Sequence, residues 1–254
     1  MAIQYRTSGF VFKKEDRLEA DRVFSVFTKD FGRIEVFGKA IRKINSKLRP
    51  GIEIFSLSEI EFIQGRNKKT LTDAILINKF SSFAGHPEKL LLAQRMSKIV
   101  DSFVKGQEQD NKIFDLLSDI FYKLDLLQYS ALKLDLIYLY FFWNFVSALG
   151  YKPELFKCAK CGQKLNPSDL YFSSSEGGVI CKDCCSVKDG ALRIDSDAVK
   201  ILRIILKNPP AGGWETLSKL KIEISKQQLL KEITEHYYLY LRSNFISGII
   251  DPPT

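Results

Sequence analysis

Four cysteines stand in two pairs, Cys158-x2-Cys161 and, after 19 intervening residues, Cys181-x2-Cys184. Each pair is a knuckle that presents two thiolates to one ion, and the interval between the pairs lies in the range of four-cysteine zinc sites. Four thiolates close a tetrahedral shell and leave no position for a reacting water, so the expected cofactor is one structural Zn2+ per chain. Gly162, after the second ligand, and Gly177-Gly178, before the third, supply the backbone freedom that tight turns around a metal need. Cys185 is left over, as a decoy ligand or a spare thiol.

A second concentration of chemistry is cationic. Lys39, Arg42, Lys43, Lys47 and Arg49 fall within the segment Lys39 to Pro50, which reads as an exposed basic loop. Such a loop can track phosphates, and rings nearby such as Phe31 or Phe37 offer faces on which bases stack. The opposite reading makes the rings core and the charges a solvated loop. The charge is uneven along the chain: residues 1–80 hold 16 of the 38 Lys+Arg against 10 of the 30 Asp+Glu, so they carry +6 of the net +8. A polyanion-facing surface is therefore expected in the amino-terminal third.

Arrangements that support catalysis are scarce. Of the two histidines, His86 precedes Pro87 in a loop and His236 lies between Glu235 and Tyr237 in a helical stretch, and neither has the company of a general base. Gly32 to Ala40 fails as a phosphate loop, because five residues separate its glycines and Ala40 stands where Ser or Thr is needed. The carboxylates form no isolated pair. The chain reads as a non-enzyme.

The elements that must position these groups change character near residue 80. Five strand-like runs, Thr7 to Phe12, Val23 to Thr28, Arg33 to Gly38, Ile52 to Ile63 and Leu71 to Ile77, are divided by charged or Gly/Pro turns. Five strands in so short a span predict a small, partly open barrel of the OB type, with Ile52 to Ile63 long, bent and buried in part on both faces. Beyond His86-Pro87 the period becomes helical: Leu90, Leu91, Ala93, Met96, Ile99, Val100 and Phe103 on one helix, then Ile113, Leu116, Leu117, Ile120, Phe121 and Leu124 on the next. Further helices are expected at Ser130 to Ala148, Asp197 to Lys207 and Ser225 to Ser247, the last opened by Ser225 as N-cap. Gly150, Pro209-Pro210 and Gly212-Gly213 mark the breaks. The fold class expected is α+β and multidomain: an N-terminal five-stranded OB-fold barrel over 1–80, then an all-α helical domain over 81–254 with an inserted four-cysteine zinc module at about 152–190.

With 45% apolar residues the chain has enough to build a packed core. Its longest apolar run, Leu136 to Gly150, is shorter than the ~18–20 residues of a membrane span, contains Asn144 and follows Lys133 and Asp135, so it reads as a buried helix. Met1 to Arg6 has no basic segment followed by an apolar run, and the expectation is a cytoplasmic protein whose clustered cysteines bind metal instead of forming disulfides.

Three stretches resemble the RecO family of recombination mediators, and the likeness covers nearly the whole chain. The first runs from Glu19-Ala20-Asp21-Arg22 through Phe27-Thr28-Lys29-Asp30-Phe31-Gly32-Arg33 and Gly38-Lys39-Ala40-Ile41-Arg42-Lys43 to Ser46-Lys47-Leu48-Arg49-Pro50. The second joins Leu149-Gly150-Tyr151-Lys152-Pro153 to Cys158-Ala159-Lys160-Cys161-Gly162, with Phe172 and Gly177-Gly178-Val179-Ile180-Cys181; the third is Leu241-Arg242-Ser243 in the last helix. The resemblance implies DNA repair through the RecF pathway, in which the protein binds single- and double-stranded DNA, anneals complementary strands and, with RecR, helps load RecA onto DNA coated by single-strand-binding protein. It further implies RecR and the acidic C-terminal tail of single-strand-binding protein as partners, RecA-coated filaments indirectly, association with the nucleoid and no membrane. Two other classes remain open on the residues alone: a subunit of a zinc-ribbon nucleic-acid enzyme, and an RNA-binding protein.

Overall fold

The computed structural model describes residues 3–104, 106–128, 130–186, 190–207 and 212–247. Two compact units emerge, Met1–Leu126 and Leu127–Thr254. The Pro209-Pro210 break lies outside the described residues.

The first unit begins with five strands, β1 (Gln4–Arg17), β2 (Asp21–Thr28), β3 (Gly32–Gly38), β4 (Leu57–Gln64) and β5 (Lys69–Asn78). They close into a barrel of order β1-β2-β3-β5-β4, with β4 paired back onto β1. The barrel is closed and not partly open, because β3 meets β5 in parallel through Val36↔Lys69 and Phe37↔Thr70. Alternation decides which side chains fill it: Ile34 and Val36 point inward while Arg33, Glu35 and Phe37 take the other parity. Val11, Phe24, Val26, Ile60, Phe62 and Leu71 complete the interior.

Two strand expectations need correction. β1 extends past Phe12 into Lys13 to Arg17, since these polar residues continue the pairing with β2 beyond an irregularity between Val11 and Lys13. The expected long strand from Ile52 starts only at Leu57. Before it come a 3₁₀ turn at Arg49–Gly51 and a tight turn in which Phe55 adopts φ +56° and the Ser56 hydroxyl donates to the Glu53 carbonyl at 2.6 Å. The mixed parity of apolar residues there records that turn, with Ile52 and Phe55 still buried.

The compact unit that holds the barrel does not end at residue 80. Helices α1 (Ser82–Gly85), α2 (Pro87–Phe103) and α3 (Asn111–Leu126) follow, and the outer face of β1 packs on them through rings. Phe10 lies 5.4 Å from Phe114 and 5.3 Å from Phe121, and Phe12 lies 6.2 Å from Phe121. Apolar side chains on both faces of β1 leave this face needing a cover, which α3 provides. Along α2 the buried face runs Lys89, Leu92, Ala93, Met96, Ile99, Val100 and Phe103, while Leu91 is 63% exposed, so the core stripe passes through Leu92 and not Leu91. On α3 all six expected positions are buried, with Phe114 in addition.

The second unit holds α4 (Ala131–Ala148), β6 (Leu170–Ser173), β7 (Gly178–Cys181), β8 (Leu192–Ile194), α5 (Ser196–Ile205), α6 (Gly212–Leu217) and α7 (Ile224–Ile246). α4 is buried on every side between Leu136 and Val146, as expected of a helix apolar all round. Two of its buried donors find partners inside: Trp143 Nε1 donates to Thr234 Oγ1 at 3.0 Å, and Asn144 Nδ2 to the Tyr140 carbonyl at 2.8 Å. Among the described residues no helix is long and apolar enough to cross a membrane. The cysteine module is not purely helical surroundings plus loops. It carries a three-stranded antiparallel sheet of order β7-β6-β8. Glu223, not Ser225, holds the N-cap position of α7, without a side-chain cap bond, and Ser225 sits inside the first turn with its hydroxyl toward the Glu223 carboxylate at 3.4 Å.

Candidate metal centre and nucleic-acid interface

The first cysteine knuckle is a hairpin tip between Lys157 and Lys164, which form an isolated antiparallel bridge. Cys158 N–H donates to the Gln163 carbonyl at 2.8 Å and Gly162 N–H to the Cys158 carbonyl at 2.9 Å, a reversal that requires φ +74° at Gly162. The second knuckle starts where β7 ends: Cys181 is its last residue, and a 3₁₀ turn, Lys182–Cys184, brings Cys184 back. Gly178 lets the two halves meet, since a Cβ there would lie 2.4 Å from the Glu154 carbonyl oxygen. Backbone bonds from Val179 to Glu154 and from Ala159 to Val179, both 2.8 Å, stitch the halves together.

The outcome is that the Sγ atoms of Cys158, Cys161, Cys181 and Cys184 all lie within 4.8 Å of one another. Four Zn–S bonds of about 2.3 Å give a tetrahedron with edges of about 3.8 Å, and Cys161 and Cys181 already stand 3.9 Å apart. Cys158 is buried and its sulfur accepts from the N–H groups of Cys181 at 3.4 Å and Cys161 at 3.5 Å. Burial pushes its thiol up, but these N–H donors outweigh burial and bring it down to about 6. The neighbouring sulfurs of Cys161 and Cys181 push Cys184 up to about 12. Four thiols this close cannot all ionise without a cation among them, and an all-thiolate donor set suits Zn2+. Cys185 stays outside the group.

The basic segment leaves β3 at Gly38. Asp21 accepts from the Ala40 N–H at 2.7 Å and Ala20 from the Arg42 N–H at 3.0 Å, which fixes the first turn. The segment is not free of apolar anchors: Ile41 is buried in the barrel cluster and Leu48 packs against it. Ile41 and Leu48 thus tie the loop to the barrel core, while Ile44 and the cations Lys39, Arg42, Lys43, Lys47 and Arg49 are all exposed. Arg42 lies 3.5 Å from Asp16, a carboxylate held below its usual range mainly by Arg22. The other four cations have no ion-pair partner among the described residues.

The two rings read as stacking faces part company. Phe31 is turned onto Tyr5 and Phe62, at 5.4 and 5.5 Å, and packs, partly buried, against the barrel core. Phe37 faces outward, half-buried, with Lys68 Nζ 4.0 Å above its ring. Arg66 and Lys68 in the β4–β5 turn, and Lys69 at the start of β5, were not among the expected cations; the run Gly65 to Lys69 between two alternating strands was the available signal. The histidines are structural. His86 Nδ1 meets the Ser82 carbonyl at 2.9 Å just before α2, and His236 Nδ1 meets Ser174 Oγ at 3.0 Å.

Two family models match this chain, in which a closed five-stranded barrel bearing a cationic loop precedes a unit with a four-cysteine module. One, described as Recombination protein O N terminal, matches residues 1–80; the other, Recombination protein O C terminal, matches 85–242. The chain is similar to the DNA repair protein RecO of Dehalococcoides mccartyi strain 195, 33% identical over 226 residues that cover 87% of each chain. It is also similar to DNA repair protein RecO of Roseiflexus sp., 29% identical over 91% of this chain and 80% of the relative, and of Acetivibrio thermocellus, 28% identical over 93% and 94%. The chain belongs to the RecO family of DNA repair proteins.

Proposed function

We propose that this chain acts as a recombination mediator by position and not by covalent chemistry. The barrel holds single- and double-stranded DNA, brings complementary strands together for annealing and, with RecR, helps RecA load on strands coated by single-strand-binding protein. The observation that carries this reading is the basic loop: five exposed cations, anchored to the barrel by Ile41 and Leu48. Cations held this way neutralise phosphates and raise the local concentration at which bases meet, with little dependence on sequence. Zn2+ in the cysteine module has a structural part, and the acidic tail of single-strand-binding protein is a partner of the helical region.

The test is strand annealing by the purified chain, with and without single-strand-binding protein, together with the salt dependence of single-stranded DNA binding. Replacing Lys39, Arg42, Lys43, Lys47 and Arg49 jointly by Ala should flatten the log–log salt slope by at most about 3.5, at roughly 0.7 for each lost contact. Magnesium-dependent cleavage of DNA, or a slope and annealing rate unchanged in the variant, would overturn the proposal.

A further inference from the structure

β3 and the β4–β5 turn border a cleft of about 470 Å³ with Phe37 in its wall. Four cations line it, Arg33, Arg66, Lys68 and Lys69, against one carboxylate, Glu35. Two of the four are already engaged: Arg33 with Asp101 and Lys69 with the Gln107 side chain at 3.0 Å. Arg66 and Lys68 are exposed, without an ion-pair partner among the described residues, and Lys68 covers the ring. We infer that this cleft is a subsite for one unstacked nucleotide of single-stranded DNA, with the base on Phe37 and its phosphate on Arg66 and Lys68.

The assignment rests on the reading of the barrel as a DNA-binding surface and adds a place where the base itself is held. Any base has a π-face, so once Lys68 swings off the Phe37 ring to meet the phosphate, the outward ring takes a base of any identity. The amides of Gln64, Asn67 and Gln107 at the rim offer donors and acceptors to base edges without imposing one pattern. A duplex keeps both faces of each base stacked and cannot present one to Phe37, so the ligand is a single strand. Phe37 stands two residues before Lys39, at most about 7 Å along the chain, so a strand whose phosphates lie on the basic loop can reach the cleft without a break.

The experiment compares the full-length chain and two variants for binding to a thymidine oligonucleotide and to an abasic strand of equal length. Phe37→Ala should lower affinity for the thymidine strand by about tenfold, leaving abasic binding and the salt slope unchanged. The five-cation loop variant should do the reverse, losing salt slope while keeping the preference for bases. Wild-type protein irradiated with a 5-iodouracil strand should crosslink at Phe37, a readout that stands even if Phe37→Ala does not fold. An unaltered base preference in folded Phe37→Ala, or crosslinks mapping only outside the cleft, overturns the subsite while leaving the DNA-binding reading intact. A wild-type chain that binds neither strand overturns both.

Discussion

The Ala159 N–H donates to the Val179 carbonyl at 2.8 Å, so the first cysteine knuckle hangs from the strand that delivers the second. Each ligand pair is thus positioned by the backbone of the other half, and metal binding and the local fold must form together.

Purified protein should carry one equivalent of zinc, by elemental analysis, bound by Cys158, Cys161, Cys181 and Cys184. Cys158→Ser together with Cys181→Ser should release it and destabilise the second unit, because structural zinc contributes on the order of 10 kcal/mol of apparent binding free energy. Full zinc retention in that double variant would refute the assignment.

Ile41→Ala should cost about 2–5 kcal/mol in urea unfolding, as for other buried aliphatic truncations. Because Ile41 anchors the loop without carrying charge, the folded variant should also bind single-stranded DNA more weakly. Equal affinity for wild type and variant would mean that the loop needs no fixed geometry.

Thr234→Val conserves shape while removing the acceptor of the Trp143 indole N–H inside the second unit. An unpaired buried donor costs about 1–3 kcal/mol, readable as a lower urea midpoint with an unchanged m-value.

Asp195 caps α5, accepting from the N–H groups of Asp197 at 3.0 Å and Ala198 at 2.9 Å, and it pairs with Lys226. Burial pushes its carboxyl up, but the Lys226 ammonium and these N–H donors outweigh burial and hold it below the usual 3.8. The folded state therefore releases this proton more readily than the unfolded state. The stabilisation is full above the ordinary carboxylate value and disappears as pH falls through the lowered one. Asp195→Ala should cost about 1 kcal/mol at pH 7, and the difference from wild type should shrink in acid. A difference that stays constant from pH 7 to acid would exclude the ionised cap as its source.

Much of this was legible in the residues. Paired cysteines at fixed spacing specify their own geometry, so the four-cysteine cluster could be read before any element was placed. The helical stripes of α3 were equally direct, since a 3.6 period survives any tertiary setting. The Leu91 to Leu92 slip on α2 came from three consecutive leucines, Leu90, Leu91 and Leu92, among which pattern alone cannot choose. The strand expected from Ile52 failed because Phe55 takes a left-handed conformation that a bulky residue rarely adopts. The strands β6 to β8 beside the cysteine cluster are too short, at three or four residues, to show a period. Phe31 and Phe37 were indistinguishable by type; the β2–β3 turn lays Phe31 against the barrel core, while the parity of β3 turns Phe37 away from it.

Closure of the barrel by just two parallel residue pairs, Val36↔Lys69 and Phe37↔Thr70, has a mechanical meaning. Every other seam is a longer antiparallel ladder, so the work of separating strands is least along β3 and β5. Local opening follows the lowest free-energy route, and here that route runs beside Phe37. A nucleotide gripped from β3 on one side and from the β4–β5 turn on the other would bridge this hinge line. Ligand binding would then act as a clasp, and the stiffness of the whole barrel would depend on whether a strand of DNA lies across it.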